Sequence, residues 1–330
     1  MPILPQTALG RTGKTIPRLG LGTTTLGREI DEDTSRQVLD YAFEADLDFI
    51  DTAEAYGGGN SRKGRRASMG VNDVRETTDE MSSSERIIGT WMKDRGLHDK
   101  VSICTKVSSG SSPENIAAQC QASLDRLQAD QVMIYMVHSY DDSVPLDETM
   151  DALNRCVTGG KAQVIGCSNF TGPQLADAVA ISEREGYARL EIVQNIYNLA
   201  APEAETDSFP VCAEHDITFL AYSPLGAGFL TGKYTADRDN LPERTRFHVV
   251  PGHCDVYFSD RNFRVVETLR GRAEELGESM VFLAGSWVVG QPAVGCTLFG
   301  ARSTAHIDNA IRSLNEGIGA ELRAEMSAWD

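Results

Sequence analysis

Short runs of apolar residues alternate along the chain with longer segments whose apolar residues recur every three or four positions. Continuous apolar runs are typical of strands buried on both faces, and the longer spacing is typical of helices that bury one face. Eight runs of the first kind predict strands at 19–23, 47–51, 101–106, 132–137, 164–167, 190–193, 219–222 and 294–298. A helical pattern follows each run, so the chain predicts eight consecutive βα units.

Turn and cap residues indicate where several of the predicted helices begin. Asp33 or Thr34 is expected to cap the first helix, and Pro113 is expected to open the third. Two later helices are expected at about 262–276 and 279–289. Gly159-Gly160 is expected to end the helix that Pro145 opens, since glycine adopts the left-handed backbone that commonly terminates a helix.

The eight units predict an α/β protein with a (β/α)₈ TIM barrel. The prediction is one domain over residues 1–330, because no stretch has the composition of a linker. A short N-terminal β-hairpin is expected at 7–16, and long loops are expected at the C-terminal face of the barrel. A doubly wound sheet is the alternative, weakened because no Gly-x-Gly-x-x-Gly motif follows the first strand.

One loop, after the seventh strand, is about 35 residues long, which predicts a functional role. It contains enough aromatic surface to line an apolar pocket, in Phe229, Tyr234, Phe247, His248, Tyr257 and Phe258. His248, His253 and Cys254 lie close together in the sequence, but their spacing matches no ligand pattern, so no metal site is expected.

Composition changes this prediction little. The net charge of −17 argues against nucleic acid or an anionic membrane as a general partner, because both would repel such a surface. Seven scattered cysteines without a Cys-x-x-Cys pair favour reduced thiols and therefore a cytoplasmic location. No apolar stretch approaches the length of a membrane span, and no signal peptide is visible at the first residues.

Three of the predicted strands end in ionisable residues. Asp51 ends the second strand, Lys106 the third, and His138 follows the fourth, while Tyr56 lies on the loop after Asp51. Each residue alone is more often an ordinary solvated or hydrogen-bonded group. Because neighbouring strand ends of a parallel barrel meet on one face, we expect all four side chains to come together there.

These residue types suit proton donation by a phenol. A tyrosine has an ordinary pKa of about 10 and is a poor donor at neutral pH. A nearby cation stabilises the phenolate, so we expect Lys106 to lower the pKa of Tyr56, and Asp51 to hold Lys106 in place.

The segments that carry these residues resemble those of the aldo-keto reductases, and the resemblance covers nearly the whole chain. The Asp…Tyr…Lys…His tetrad of that family falls on Asp51, Tyr56, Lys106 and His138. The resemblance implies an NADP(H)-dependent oxidoreductase that reduces an aldehyde or ketone, or oxidises the corresponding alcohol. It assigns Tyr56 as the proton donor and His138 as the group that orients the carbonyl oxygen.

The resemblance also implies which residues hold the cofactor. Ser168, Asn169 and Gln194 would bind the nicotinamide carboxamide, and Tyr222 would stack on its ring. The backbone N–H groups around Gly226 and Gly228 are expected to be free for the pyrophosphate. The remaining cofactor residues implied are Thr23, Ser223, Leu225, Lys233, Gly300, Arg302, His306 and Asn309, with Arg302 facing a 2′-phosphate.

The main departure from the family is an insertion at 61–83, which begins with basic residues. We expect it to be a solvated loop, and we advance the hypothesis that it overhangs the pocket or pairs with a second copy of the chain. An alternative function is an NADP-binding regulatory subunit with little turnover, like the channel-associated members of the family. The carbonyl substrate cannot be read from the sequence.

Overall fold

The computed structural model describes residues 4–59 and 73–330, which form a closed barrel of eight parallel strands preceded by a two-stranded antiparallel hairpin. The hairpin consists of β1 (Gln6–Ala8) and β2 (Thr15–Pro17). The barrel strands are β3 (Leu19–Gly22), β4 (Phe49–Asp51), β5 (Ser102–Val107), β6 (Val132–Val137), β7 (Ala162–Ser168), β8 (Leu190–Ile196), β9 (Thr218–Tyr222) and β10 (Val294–Gly300). Each strand pairs with its neighbours in chain order and β10 closes onto β3, so the predicted (β/α)₈ barrel is confirmed.

Helices follow the strands and cover the barrel. They are α1 (Glu32–Glu44), α2 (Ser83–Arg95), α3 (Pro113–Leu127), α4 (Leu146–Thr158), α5 (Gly172–Glu185), α6 (Ser208–His215), α7 (Arg246–Val249), α8 (His253–Tyr257), α9 (Asp260–Leu276), α10 (Met280–Val289), α11 (Thr304–Asn315) and α12 (Ala320–Ser327). Short 3₁₀ turns lie at Glu203–Glu205 and Gly226–Thr231. Within the described ranges, no helix has the length and apolar character needed to cross a membrane.

Two apolar cores hold the barrel together. One lies between the strands and the surrounding helices, and the other fills the barrel interior with Phe49, Ile134, Ile192 and other strand side chains. Leu9, next to β1 of the hairpin, belongs to the interior core and is fully buried. The predicted hairpin therefore closes the N-terminal end of the barrel, which leaves the opposite, C-terminal end for the loops.

Several predicted boundaries were wrong by a few residues. Asp31, and not Asp33 or Thr34, caps α1, because its side chain accepts a hydrogen bond from the Thr34 backbone N–H. Strand β8 continues past the predicted end at 193 to Ile196, since it stays paired with β9 as far as Tyr222. Both α9 and α10 begin next to a serine cap that accepts a backbone hydrogen bond.

The long loop after β9 contains enough aromatic surface to line a pocket, but most of these rings pack on one another. Phe229, Phe247, Tyr257 and Tyr234 are buried against one another, with ring centroids of Tyr234 and Phe247 only 4.4 Å apart. Packing rings together removes more apolar surface from water than a solvated pocket wall would. The loop therefore adds its aromatic residues to the core between the strands and helices, and it presents polar residues from 243–245 to the barrel mouth.

The insertion predicted at 61–83 lies partly outside the described residues, which resume at Asp73. From there the chain packs on the loop after β3 and then enters α2, where Ser83 accepts a hydrogen bond from the Gly58 N–H (2.9 Å). Ser84 N–H donates to the Tyr56 carbonyl at 3.4 Å. The start of α2 thus holds the loop that carries Tyr56.

Candidate active site

A buried ion pair lies at the centre of the C-terminal barrel face. Lys106 Nζ donates to Asp51 Oδ1 at 2.6 Å and to the Thr52 carbonyl at 2.8 Å. Both side chains are almost fully removed from solvent. Burial is the largest single effect and lowers the pKa of Lys106, but the charge and hydrogen bond of Asp51, together with the nearby Tyr56 and Cys104, raise that pKa by more, so the ammonium stays charged at neutral pH.

Asp51 is held from the opposite side of the barrel. Gln194 on β8 donates its amide N–H to the same Oδ1 at 2.7 Å. The backbone carbonyl of Asp51 accepts from the Thr23 hydroxyl at 2.8 Å. Hydrogen bonds of this kind to a carboxylate stabilise its charged form and fix its position, so Lys106 has one defined anionic partner.

The Tyr56 ring lies directly above this pair. Lys106 Nζ is 5.0 Å from the ring centroid. Burial raises the pKa of Tyr56, while the charge of Lys106 lowers it by less, so the net shift is upward. Lys106 thus acts in the expected direction, but removing a phenolate from water raises the pKa of Tyr56 by more than one cation lowers it.

His138 packs edge-on against Tyr56, with ring centroids 5.6 Å apart. Burial, and then the charge of Lys106, lower the pKa of His138 to about 3, so its imidazole is neutral at physiological pH. Ser108 Oγ lies 2.7 Å from His138 Nδ1. The Asn169 amide donates to the His138 carbonyl at 2.8 Å and fixes the backbone beside the ring.

A cleft of about 720 Å³ opens from these side chains across the barrel mouth. It has the size and the mixed apolar and polar walls of a cofactor site. Most of the residues predicted from the sequence line it: Asp51, Tyr56, His138, Ser168, Asn169, Gln194, Tyr222, Ser223, Leu225, Gly228, Lys233, Gly300, Arg302, His306 and Asn309. Their convergence follows from the parallel order of the strands, which brings all strand ends to one face.

The part of the cleft nearest Tyr56 combines amides with a flat ring. Tyr222 donates its hydroxyl to Asn169 Oδ1 at 2.7 Å, and Asn169 in turn donates to Ser168 Oγ at 3.2 Å. Ser168 donates to the Gln194 carbonyl at 2.8 Å. These groups can hold a planar amide-bearing ring, since they offer both hydrogen-bonding atoms and an aromatic face.

Two backbone N–H groups of the turn after β9, those of Gly226 and Gly228, were expected to be free but are hydrogen-bonded within the turn. Gly226 N–H donates to Ser223 O at 2.9 Å, and Gly228 N–H donates to Leu225 O at 3.0 Å. Gly228 has a φ of +91°, and a Cβ there would lie 2.9 Å from Lys233 Nζ. Because Gly228 has no side chain, the Lys233 ammonium can lie close to this turn. A phosphate could bind there to that cation, and not to the N–H groups of the two glycines.

Charged residues gather at the far end of the cleft. Arg302 NH1 lies 3.4 Å from Glu29 Oε2, and Ser303 Oγ lies 2.9 Å from His306 Nδ1 at the start of α11. Burial, and then the charge of Arg302, lower the pKa of His306. This end can receive an anion, because Arg302 and the start of a helix both favour negative charge.

Comparison with known proteins agrees with this geometry. The family model described as Aldo/keto reductase family matches residues 18–328. The chain belongs to the aldo/keto reductase family. An uncharacterized oxidoreductase, YrpG, of Bacillus subtilis (strain 168) is 30% identical to it over 96% of the chain and 93% of that protein.

The names of other relatives indicate different functions. The aldo-keto reductase YhdN of the same organism is 29% identical over 97% of the chain and 90% of its own length. A probable voltage-gated potassium channel subunit beta of Oryza sativa subsp. japonica is 27% identical over 93% of the chain and 90% of its own length. Similarity of this extent supports an oxidoreductase of this family and leaves the substrate open.

Two predicted residues lie beneath the cleft of this aldo/keto reductase and not on its wall. Lys106 is fully buried under Tyr56, and Thr23 is fully buried with its hydroxyl on the Asp51 carbonyl. The sequence analysis missed several residues that line the cleft, among them Thr24, Glu29 and Arg75. Thr24 and Glu29 lie on the loop after β3, and loops in this position line the active face of a parallel barrel, so the sequence could have indicated them. No local signal in the sequence identifies Arg75.

We expect His138 to remain neutral from pH 8 down to about pH 4, since its pKa is lowered to about 3 from an ordinary value near 6.5. We further expect Ser108, 2.7 Å away, to donate its hydroxyl to Nδ1, so that the neutral ring carries its proton on Nε2. Nitrogen NMR of the histidine side chains, assigned with His138→Gln, would measure both properties. A midpoint near pH 6.5, or a proton on Nδ1, would contradict this prediction.

Proposed function

We propose that the chain is an NADPH-dependent carbonyl reductase with Tyr56 as its proton donor. The observation that carries this proposal is the assembly of Tyr56 above the buried Lys106–Asp51 pair and beside a neutral His138, at one end of a cleft large enough for a dinucleotide. The substrate is an aldehyde or ketone, and the reverse reaction is oxidation of the alcohol.

Each residue has a distinct part in the proposed reaction. A bound reduced nicotinamide supplies the hydride. The Tyr56 hydroxyl gives its proton to the carbonyl oxygen as negative charge develops there, and the Lys106 ammonium stabilises the phenolate that remains. His138 donates from Nε2 to the same oxygen and orients it. Asp51 keeps Lys106 in place for every turnover.

The raised pKa of Tyr56 is compatible with this role. A phenol whose pKa lies above 10 keeps its proton at neutral pH, so Tyr56 is already protonated when the substrate binds. The proton becomes transferable only when an oxyanion forms beside it, because an alkoxide is a stronger base than a phenolate. Lys106 then offsets part of the cost of leaving a buried phenolate.

The cofactor is proposed to be NADP(H); Tyr222 would provide a stacking face for its nicotinamide, and Ser168, Asn169 and Gln194 would hold the carboxamide. At the other end, Arg302 and Lys233 provide the positive charge that suits a 2′-phosphate and a pyrophosphate. His306 and Asn309 lie on the same wall, from α11. No residue here is specific for one phosphate, so the choice of NADP rests on the charge of this end and on the family.

A second candidate is a nucleotide-binding regulatory subunit. The plant relatives named as probable potassium channel beta subunits favour it, since they align with nearly the whole chain. The complete group of Asp51, Tyr56, Lys106 and His138 favours the reductase, because a protein that only binds the dinucleotide has no need of a proton donor next to a buried ion pair.

The test of the proposed function is consumption of NADPH, followed by its absorbance, against a panel of aldehydes and ketones. Binding of NADPH and NADH is measured in parallel by the change in protein fluorescence. Steady turnover with at least one carbonyl compound supports the reductase. Tight binding without turnover across the panel would contradict it and support the regulatory subunit, and failure to bind either dinucleotide would contradict both.

A further inference from the structure

A series of ion pairs connects the segment that begins at Asp73 with Arg302, at the end of the cleft far from Tyr56. Arg28 and Arg75 both pair with the fully buried Asp73, through nitrogen–oxygen distances of 2.9 and 2.7 Å. Arg75 NH1 then donates to Glu29 Oε1 at 2.9 Å. The other oxygen of Glu29 lies 3.4 Å from Arg302 NH1.

Glu29 is the fixed member of its pair with Arg302. Its side chain is only 10% exposed, whereas that of Arg302 is 51% exposed. The backbone of Glu29 is held too, since its N–H donates to the Thr25 carbonyl at 2.8 Å. Arg302 can therefore turn toward a ligand, but the Glu29 carboxylate cannot move away with it.

Glu29 lowers the positive charge of a site that would otherwise attract anions strongly. The connected group contains three arginines (Arg28, Arg75 and Arg302) and two carboxylates, Asp73 and Glu29, so its net charge is +1. Without the charge of Glu29 it would be +2. Lys233 lies close enough for both Arg302 and Glu29 to shift its pKa, which is lowered overall by burial.

We propose that Glu29 sets the discrimination between NADPH and NADH by competing with the 2′-phosphate for Arg302. This inference rests on the proposed cofactor. A phosphate that approaches Arg302 has to share the guanidinium with an immobile carboxylate and is repelled by it. A dinucleotide that carries a 2′-hydroxyl in place of the phosphate meets no such repulsion. Glu29 therefore keeps NADPH binding weaker than Arg302 alone would make it.

The test is equilibrium binding of NADPH and NADH to Glu29→Gln, which needs no turnover. Glutamine keeps an oxygen that can accept from Arg75 and removes only the charge. The dissociation constant for NADPH is expected to fall roughly three- to ten-fold, and that for NADH to change by less than about two-fold. A double-mutant cycle with Arg302→Ala should remove most of the difference, since the carboxylate then has no guanidinium to compete for.

The matched control is Glu243→Gln, which removes a carboxylate that lines the same cleft from the other wall. If NADPH affinity rose equally in the two variants, the effect would come from removing any negative charge at the cleft and not from Glu29 in particular. That result would overturn the inference. So would weaker NADPH binding in Glu29→Gln, because the carboxylate would then be orienting Arg302 for the phosphate. Wild-type protein that binds neither dinucleotide would instead refute the proposed function.

A second variant keeps the test available if Glu29→Gln does not fold. Glu29→Asp retains the negative charge next to Arg75 but draws it back from Arg302 by about one methylene. A smaller gain in NADPH affinity, about two-fold, is expected. No gain in this folded variant would overturn the inference in the same way.

Discussion

Replacing Tyr56 with phenylalanine is expected to lower kcat for carbonyl reduction roughly 10²- to 10⁴-fold, the usual contribution of a positioned acid. The substitution removes only the hydroxyl. The ring keeps its edge contact with His138 and its place above Lys106, so the dissociation constant for NADPH should change little. Initial rates at saturating NADPH, together with fluorescence binding, measure the two quantities separately.

The matched control for this experiment is Tyr222→Phe. It removes a hydroxyl from the same cleft, but one that donates to Asn169 and not to a substrate oxygen. We expect this control to weaken dinucleotide binding and to leave kcat within about ten-fold of the wild type, because one neutral hydrogen bond contributes about 1 kcal/mol. If Tyr56→Phe retained wild-type kcat, Tyr56 would not be the proton donor.

The architecture could be predicted from the sequence because its signals are local and repeated. A parallel barrel needs strands that are apolar on both faces, and each such run is visible in the sequence alone. Once the barrel is assumed, strand order places Asp51, Lys106 and His138 on one face without any further information. The structure agrees, with the side chains of Asp51 and Lys106 in direct contact.

Properties that depend on opposing energetic effects or on distant contacts could not be predicted from the sequence in the same way. The net pKa of Tyr56 depends on how much burial outweighs one cation, and the sequence contains neither distance nor exposure. The aromatic residues of the long loop could line a cleft or pack on one another, and their spacing is the same in both cases. Arg75 reaches Glu29 across 46 positions of sequence, so no local pattern indicates their contact.

Replacing Lys106 with methionine is expected to abolish detectable turnover and to lower the free energy of unfolding by about 3–5 kcal/mol. Methionine fills a similar volume, so little of this loss comes from a cavity. The loss arises because the Asp51 carboxylate, whose side chain is only 3% exposed, loses its counter-charge and retains the hydrogen bond from the Gln194 amide. Denaturant unfolding and NADPH-consumption rates would measure the two effects.

The exposed pair of Arg11 and Asp216 provides the stability control, since Arg11→Met should change the unfolding free energy little. The double variant Asp51→Asn with Lys106→Met separates stability from function. Removing both charges leaves no buried carboxylate without a counter-charge, so most of the lost stability should return. Turnover should not return, because nothing then stabilises the Tyr56 phenolate. A double variant that recovers both stability and turnover would show that the pair is structural, and that the proton leaves Tyr56 without help from Lys106.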